Sequence, residues 1–400
     1  MEHENNIPEG WVETTLGEIA NITMGQSPKS EFYNTEGNGM PFYQGVTEFN
    51  DKYVGVKNFT TKTTKVVPKN SILFSVRAPV GKVNFTKSEC CIGRGNAGMF
   101  MENGNQNFLY YQLKFSERKL QDYSSGTVFT SISGKELNII PVLVPKKQEE
   151  QKAIAKVLTA FDDKIELLQA QNKTLETMAQ TIFKEWFGKY KIGDDLPEGW
   201  SFSPLYSIAR YINGAAFKSQ DFSKDKTGLP IVKIVELKNG ITDSTAFSKK
   251  VVDSKYYIDD GDILFSWSGS PETSIDVFLW SSGKAILNQH SFNVKVDDDN
   301  EKAWVYFLLK YKKSLFIHLA KMKQTTGLGH VTISDLKENH FATPPKDDRK
   351  RFGKVFNGFL QKIMTNQSQI QSLRKTRDTL LPKLMSGQVR VKNLKQTADA

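Results

Sequence analysis

Five histidines, two cysteines and consecutive acid pairs such as Asp162-Asp163 and Asp259-Asp260 are the side chains on which catalysis or metal binding in this 400-residue chain would draw. Their spacing serves neither. His3, His290, His318, His330 and His340 have no ligand spacing and no cysteine neighbours, so no metal site is predicted. Cys90 and Cys91 are adjacent, and neighbouring cysteines seldom pair with each other; two reduced thiols are expected, as in a cytosolic protein. Asp162-Asp163 and Asp259-Asp260 need not converge on one point and read as solvated helix or turn residues. A GxxxxGK phosphate loop followed by Ser or Thr is absent, which argues against a nucleotide motor. Also absent is Asn-Pro-Pro or Asp-Pro-Pro before an aromatic residue, the kind of motif that adenine methyltransferases use; Thr343-Pro344-Pro345-Lys346 reads as the end of a strand before a helix. No catalytic residue is predicted. What remains is hydrogen-bond donors in loops, of which Arg94 is the most conspicuous: in Gly93-Arg94-Gly95-Asn96 the flanking glycines allow close backbone approach to a ligand.

Charge indicates what such donors could meet. Lys and Arg number 54 against 44 acids, a net charge of +10. Residues 346–395 hold 13 Lys or Arg against Asp347, Asp348 and Asp378, whereas 146–191 holds nine Lys against seven acids. One region therefore carries an excess equal to that of the whole chain, which favours a polyanionic partner, nucleic acid above all. No apolar run is long enough for a membrane span and the first ten residues are polar and acidic, so a cytoplasmic location without membrane contact is expected.

The elements that position those donors come as a tandem repeat. Pro8-Glu9-Gly10-Trp11 returns as Pro197-Glu198-Gly199-Trp200. In the same register Leu16, Ile19, Ala20, Gly25 and Pro41 match Leu205, Ile208, Ala209, Gly214 and Pro230. Further on, Ile72-Leu73-Phe74-Ser75 matches Ile263-Leu264-Phe265-Ser266, and Gly126 and Ile132-Ser133 match Gly327 and Ile333-Ser334. The offset drifts along the chain, as it does when loops differ in length. Each repeat opens with β-branched and aromatic runs between Gly, Asn and Ser clusters, predicting strands near 65–68, 71–76, 251–258 and 262–267 and helices near 107–122 and 302–323.

Each repeat closes with a helix of heptad period. Ile154, Leu158, Phe161, Ile165, Leu168, Asn172, Leu175, Ala179, Ile182 and Trp186 alternate spacings of four and three. Phe352, Phe356, Phe359, Ile363, Asn366, Ile370, Leu373, Arg377, Leu380 and Leu384 repeat the pattern. Two such seams predict a long two-helix coiled coil, with Asn172 and Asn366 fixing its register at some cost in stability. The fold class expected is α+β: two similar domains separated by an antiparallel two-helix coil, in a pseudo-two-fold tandem repeat. Its parts are a first domain at 1–147, a helix at 148–187, a second domain at 188–346 entered through a linker at 188–196, a second helix at 347–387, and a tail at 388–400.

A helix of about 38 residues spans roughly 57 Å. Antiparallel packing would relate the domains by about 180°. Duplex DNA has local two-fold axes, and proteins of that symmetry bind half-sites roughly 34–36 Å apart or a multiple of it. Since the domain sequences differ, the expected target is bipartite and asymmetric with an unread spacer.

These features together resemble the specificity subunits of type I restriction-modification systems, usually called HsdS. The resemblance covers nearly the whole chain and rests on the Pro-Glu-Gly-Trp openings, the Ile-Leu-Phe-Ser strands, Gln148-Glu149-Glu150-Gln151-Lys152-Ala153-Ile154, and Arg377-Asp378-Thr379-Leu380-Leu381-Pro382-Lys383-Leu384-Met385-Ser386-Gly387. It implies a non-catalytic DNA-recognition subunit in which each domain reads one half-site of double-stranded DNA. It also implies that the helices dock two adenine-methyltransferase subunits binding S-adenosylmethionine. A separate motor subunit using ATP and Mg would cleave DNA, and this chain would bind no cofactor. The second helix departs from the pattern by opening Asp347-Asp348-Arg349-Lys350-Arg351-Phe352. Other readings are a specificity subunit of a modification-only or type II-like system, a fused enzyme acting alone, and a coiled-coil scaffold without DNA.

Base edges are read by Arg, Lys, Asn and Gln, and phosphates by any positive or amide donor. Loops at matching repeat positions are the candidates. In the first domain these are Lys29, Ser30, Gln44, Arg77, Arg94, Asn96, Ser125, Thr127 and Thr130. In the second they are Lys218, Ser219, Lys233, Asn288, Gln289, His290, Thr325, Thr326 and His330. Trp267 at the corresponding place reads as core.

Overall fold

A computed structural model describes residues 7–126, 131–324 and 327–391. The chain folds as two compact units, the first comprising residues up to Asp163 together with those from Arg374 onward, the second Lys164–Leu373.

In the first unit the apolar run of Ile72–Ser75 is buried at all four positions, as a strand covered on both faces must be. It lies inside an antiparallel sheet ordered Asn21–Met24, Asn96–Phe100, Ile72–Ser75, Val83–Phe85. A second sheet runs Tyr33–Asn34, Phe59–Thr60, Met40–Tyr43, Cys90–Ile92, Val66–Val67, with its only parallel pair joining Met40–Tyr43 to Cys90–Ile92. Trp11–Thr15 pairs with Pro141–Pro145, closing the domain on itself. Helix Gln106–Gly126 packs Phe108, Leu109, Tyr111 and Leu113 into the core with Ile72, Phe74 and Val83.

The second unit repeats this order, with four strands instead of five in its second sheet. Arg210–Asn213, Ser291–Lys295, Ile263–Ser266 and Asp276–Leu279 form one sheet; Phe247–Ser248, Leu229–Val232, Ala285–Leu287 and Tyr257–Ile258 form the other. Again the parallel pair is the inner one, Leu229–Val232 with Ala285–Leu287. The repeat seen in the sequence is thus a repeat of fold, except that Ile132-Ser133 corresponds in hydrogen bonding and helix capping to Val331-Thr332 and not to Ile333-Ser334.

Two expected elements differ. The helix expected near 302–323 is two, Asp299–Tyr311 and Lys313–Met322, joined at Lys312. Of the strand expected over 251–258 only Tyr257–Ile258 pairs; the Asp253 carboxylate accepts the Lys255 N–H at 3.1 Å and turns Ser254–Tyr256 into a short 3₁₀ helix. The Pro-Pro segment does lie between strand His340–Thr343 and helix Lys346–Met385.

The long helices are Gln148–Phe183, continued by a π turn at Lys184–Gly188, and Lys346–Met385. In the second unit Ile165, Leu168, Ile370 and Leu373 form one apolar cluster, and Asn366 meets Asn172, an antiparallel register. In the first unit Ile154, Ala155 and Leu158 share a core with Leu384 and Met385. The seam departs from its period at one end. Phe183 and Phe187 are buried, whereas Ile182 is half-buried and Trp186 is 37% exposed. There the helix packs into the domain core, with Phe183 against Trp304, Tyr311, Phe341 and Phe356, so the buried face rotates by one position. Phe359 likewise gives way to Leu360.

Asp162 is not solvated as expected. It is buried, accepts from the Tyr111 hydroxyl at 2.6 Å, and pairs with Arg377, which explains why a charged residue occupies a seam position.

The unusual opening of the second helix has a compensating partner. At the head of the first helix the Gln151 amide donates to the Pro145 carbonyl (2.9 Å) and accepts from Asn105 (2.9 Å). At the head of the second, Arg349 donates to the Pro344 carbonyl (2.9 Å) and to Glu301 (2.9 and 2.6 Å). An amide pair in one repeat is an ion pair in the other, and both tie a helix start to its domain. Among the described residues no helix is long and apolar enough to cross a membrane.

Candidate nucleic-acid interface

Of the candidate donors, Gln44, Arg77, Arg94 and Asn96 in the first domain and Lys233, Asn288, Gln289 and His290 in the second lie where the two sheets of each domain are joined. In the first domain the chain passes from Cys90–Ile92 in one sheet to Asn96–Phe100 in the other through Gly93-Arg94-Gly95. Backbone hydrogen bonds lock this passage. Gly25 N–H donates to Asn96 O (2.9 Å), Gln26 to Ile92 O (3.0 Å), Gly93 to Tyr43 O (2.9 Å) and Asn96 to Gly93 O (3.0 Å). Val76 N–H donates to Gly95 O (2.9 Å), and Ile132 N–H to Val76 O (2.9 Å). Each such bond contributes about 1 kcal/mol net.

The second domain uses the same six bonds. Gly214 donates to Ser291 O (3.1 Å), Ala215 to Leu287 O (2.8 Å), Asn288 to Val232 O (2.9 Å) and Ser291 to Asn288 O (3.3 Å). Trp267 donates to His290 O (3.4 Å) and Val331 to Trp267 O (2.8 Å). Residue by residue, Gly93-Arg94-Gly95 corresponds to Asn288-Gln289-His290, Gln44 to Lys233, and Arg77 to Ser268. The brace is shared and the side chains it carries are not.

The two glycines beside Arg94 serve packing more than ligand approach. A Cβ on Gly93 would stand 2.3 Å from Gln44 Oε1, and one on Gly95 2.4 Å from the Gln44 carbonyl. Ser27 completes the brace, donating its hydroxyl to Gln44 Oε1 (2.8 Å) and accepting the Arg94 N–H (3.2 Å). The Arg94 side chain is exposed while Gly93, Gly95 and Asn96 are buried. Tyr33 donates to the Pro28 carbonyl at 2.8 Å, beside Lys29; burial pushes its phenol up, and the nearby Arg94 charge opposes that.

The remaining first-domain candidates divide by exposure. Lys29, Ser30 and Arg77 are exposed, Lys29 with Glu31 at 3.9 Å and Arg77 bridged to Ser131. Gln44 is half-buried. Asn96 is fully buried, its amide donating to the Tyr43 (3.1 Å) and Gly45 (3.0 Å) carbonyls, so it fastens the loop and does not face solvent. Ser125 falls in the last turn of helix Gln106–Gly126. Thr127, Thr130, Thr325 and Thr326 lie outside the described residues.

In the second domain Lys218, Ser219 and His290 are exposed, and Asn288 is nearly buried. Gln289 is half-buried, its amide 3.4 Å from the His290 ring. The Lys233 ammonium lies 4.8 Å over the Phe222 ring, an arrangement that holds the cation in place. His330 sits in the two-residue strand Gly329–His330, opposite Ser268. Trp267 is half-buried, stacked on Phe292 at 5.6 Å, with its indole N–H donating to Asn213 (3.1 Å). Ser27 and Ser268 are the participants that the residue-type search passed over. The repeat alignment already set Ser268 opposite Arg77, whereas Ser27 has only Ala216 opposite it and no sequence signal.

Comparison with known proteins agrees with this architecture. The sequence profile described as "Type I restriction modification DNA specificity domain" matches twice, over residues 8–177 and 197–375. The type I restriction enzyme MjaIX specificity subunit of Methanocaldococcus jannaschii is 27% identical over 94% of this chain and 93% of that protein. The putative MjaX specificity subunit of the same organism is 43% identical over 44% of this chain and 42% of its own length. Among solved structures, the S subunit of a type I restriction-modification system from M. genitalium superposes with a TM-score of 0.53 at 19% identity, covering 96% of this chain and 98% of that one; the likeness is one of fold. With two matches that together span most of its length, this chain belongs to the type I restriction-modification DNA specificity family.

Proposed function

We propose that the chain reads an asymmetric, bipartite double-stranded DNA site, one half-site per domain, and that its long helices dock two adenine-methyltransferase subunits. The observation that carries this reading is the shared six-bond brace that presents Arg77 and Arg94 in one domain and Ser268, Gln289 and His290 in the other. One scaffold with two sets of donors suits two half-sites of different sequence. Exposed Lys29, Arg77 and Lys218 would add phosphate contacts that hold register on the duplex. S-adenosylmethionine, and ATP with Mg where a motor subunit is present, would be bound by the partners. The named relatives are specificity subunits of type I restriction enzymes, which supports the same partners here.

The test is co-expression with a type I adenine-methyltransferase subunit from the same genome, followed by genome-wide mapping of N6-methyladenine. The reading expects one motif with two unlike specific halves around a spacer of fixed length. Methylation at a continuous or palindromic motif, or none above the methyltransferase alone, would overturn it.

A further inference from the structure

The brace ties together two chain segments in each domain, and each contributes a side chain next to the tie. Arg77 and Arg94 are each one residue from the Val76–Gly95 hydrogen bond, and both are exposed. Ser268 and Gln289 stand in the same relation to the Trp267–His290 bond. The first domain therefore offers two guanidinium groups where the second offers a hydroxyl and a carboxamide. Arg94 rises from a backbone held on both sides, since Gly93 and Gly95 donate to the Tyr43 and Gln44 carbonyls and neither has room for a Cβ against Gln44. No carboxylate among the described residues is ion-paired with it. A rigidly mounted, unpaired guanidinium is suited to bidentate recognition, because its planar fork needs no further ordering to meet two acceptors.

We infer that Arg94 and Gln289 are the equivalent base-reading residues of the two domains: Arg94 donates to O6 and N7 of a guanine in one half-site, and the Gln289 amide pairs with N6 and N7 of an adenine in the other. This rests on the DNA-reading function proposed above and assigns base chemistry to its two halves. The pairing follows from donor pattern, since a guanine edge presents two acceptors and an adenine edge one acceptor and one donor. Arg77, which is also exposed, is left to hold phosphate.

The experiment maps N6-methyladenine in cells carrying the methyltransferase with the wild-type chain, Arg94→Lys, Arg94→Gln, Gln289→Ala or Arg77→Ala. Arg94→Lys keeps the charge and removes the fork, so overall methylation persists while discrimination at one guanine position falls roughly ten- to a hundredfold. Arg94→Gln shifts that position toward adenine. Gln289→Ala relaxes one adenine position in the opposite half, and Arg77→Ala lowers methylation at all sites without altering the motif. An unchanged motif in both Arg94 variants, or uniform weakening with every position intact, overturns the inference. Absence of a bipartite motif with the wild-type chain would overturn the broader function before any variant is read.

Discussion

The side-chain amide of Asn366 donates to Asn172 Oδ1 at 2.7 Å and to Gln171 Oε1 at 2.8 Å, in the middle of a seam otherwise filled by Ile165, Leu168, Ile370 and Leu373. Asn366 is completely buried, so this contact penalises any slip of one helix past the other. Asn366→Asp would set a carboxylate against two oxygens. A loss of about 2–4 kcal/mol is expected, read as a lower denaturant midpoint. An unchanged midpoint would mean that the pair does not hold the seam.

The helix heads make a second prediction. Glu301 is 6% exposed and its charge is met by Arg349. Arg349→Gln alone leaves that carboxylate buried without its partner and should cost about 3–5 kcal/mol. Adding Glu301→Asn recreates the amide pair that Asn105 and Gln151 form in the first unit, and most of the loss should return. Additive costs in the double-mutant cycle would show that the two residues are not coupled.

Alkaline pH gives a third. Burial pushes the Cys90 thiol up to about 12, with Cys91 adding to the effect, and raises the Tyr110, Tyr111 and Tyr211 phenols. These groups stay protonated in the folded chain after their unfolded counterparts have ionised. Their contribution is therefore complete below about pH 9, where the unfolded thiol begins to titrate. It declines as pH rises towards 12 because the unfolded state then binds fewer protons. Melting temperatures between pH 8 and 11 should fall, and Cys90→Ala should make the early part of that fall shallower. A flat profile would contradict the assignment.

Exchange of residues 1–147 for the corresponding domain of a relative should change one half of the methylated motif and leave the other half as it was. If both halves change, the domains do not read independently.

Much of this architecture was visible in residue order. The Trp11 and Trp200 openings, the two Ile-Leu-Phe-Ser strands and the paired seams carry local patterns, and they reappear as matched sheets and long helices. Less visible was whatever depends on distant partners. Asp162 looks solvated until Tyr111 and Arg377 are brought to it from 51 and 215 residues away. Asn96 looks like a reader until the Tyr43 and Gly45 carbonyls claim its amide. Phe183 and Phe187 replace Ile182 and Trp186 because the domain core covers that end together with the partner helix. At the candidate interface the sequence pointed to loops of which several meet at the brace. Which side chains stay exposed is decided by the brace.

Reading a bipartite site in the proposed way requires the helices to set the distance between the two readers, and helix length tests this directly. Seven residues inserted between Leu168 and Gln169, with seven more between Gln369 and Ile370, preserve the seam and lengthen each helix by about 10 Å. At roughly 3.4 Å per base pair, the unread spacer of the methylated motif should grow by about three base pairs with both halves unchanged. A motif with its original spacer would show that the helices do not measure the DNA.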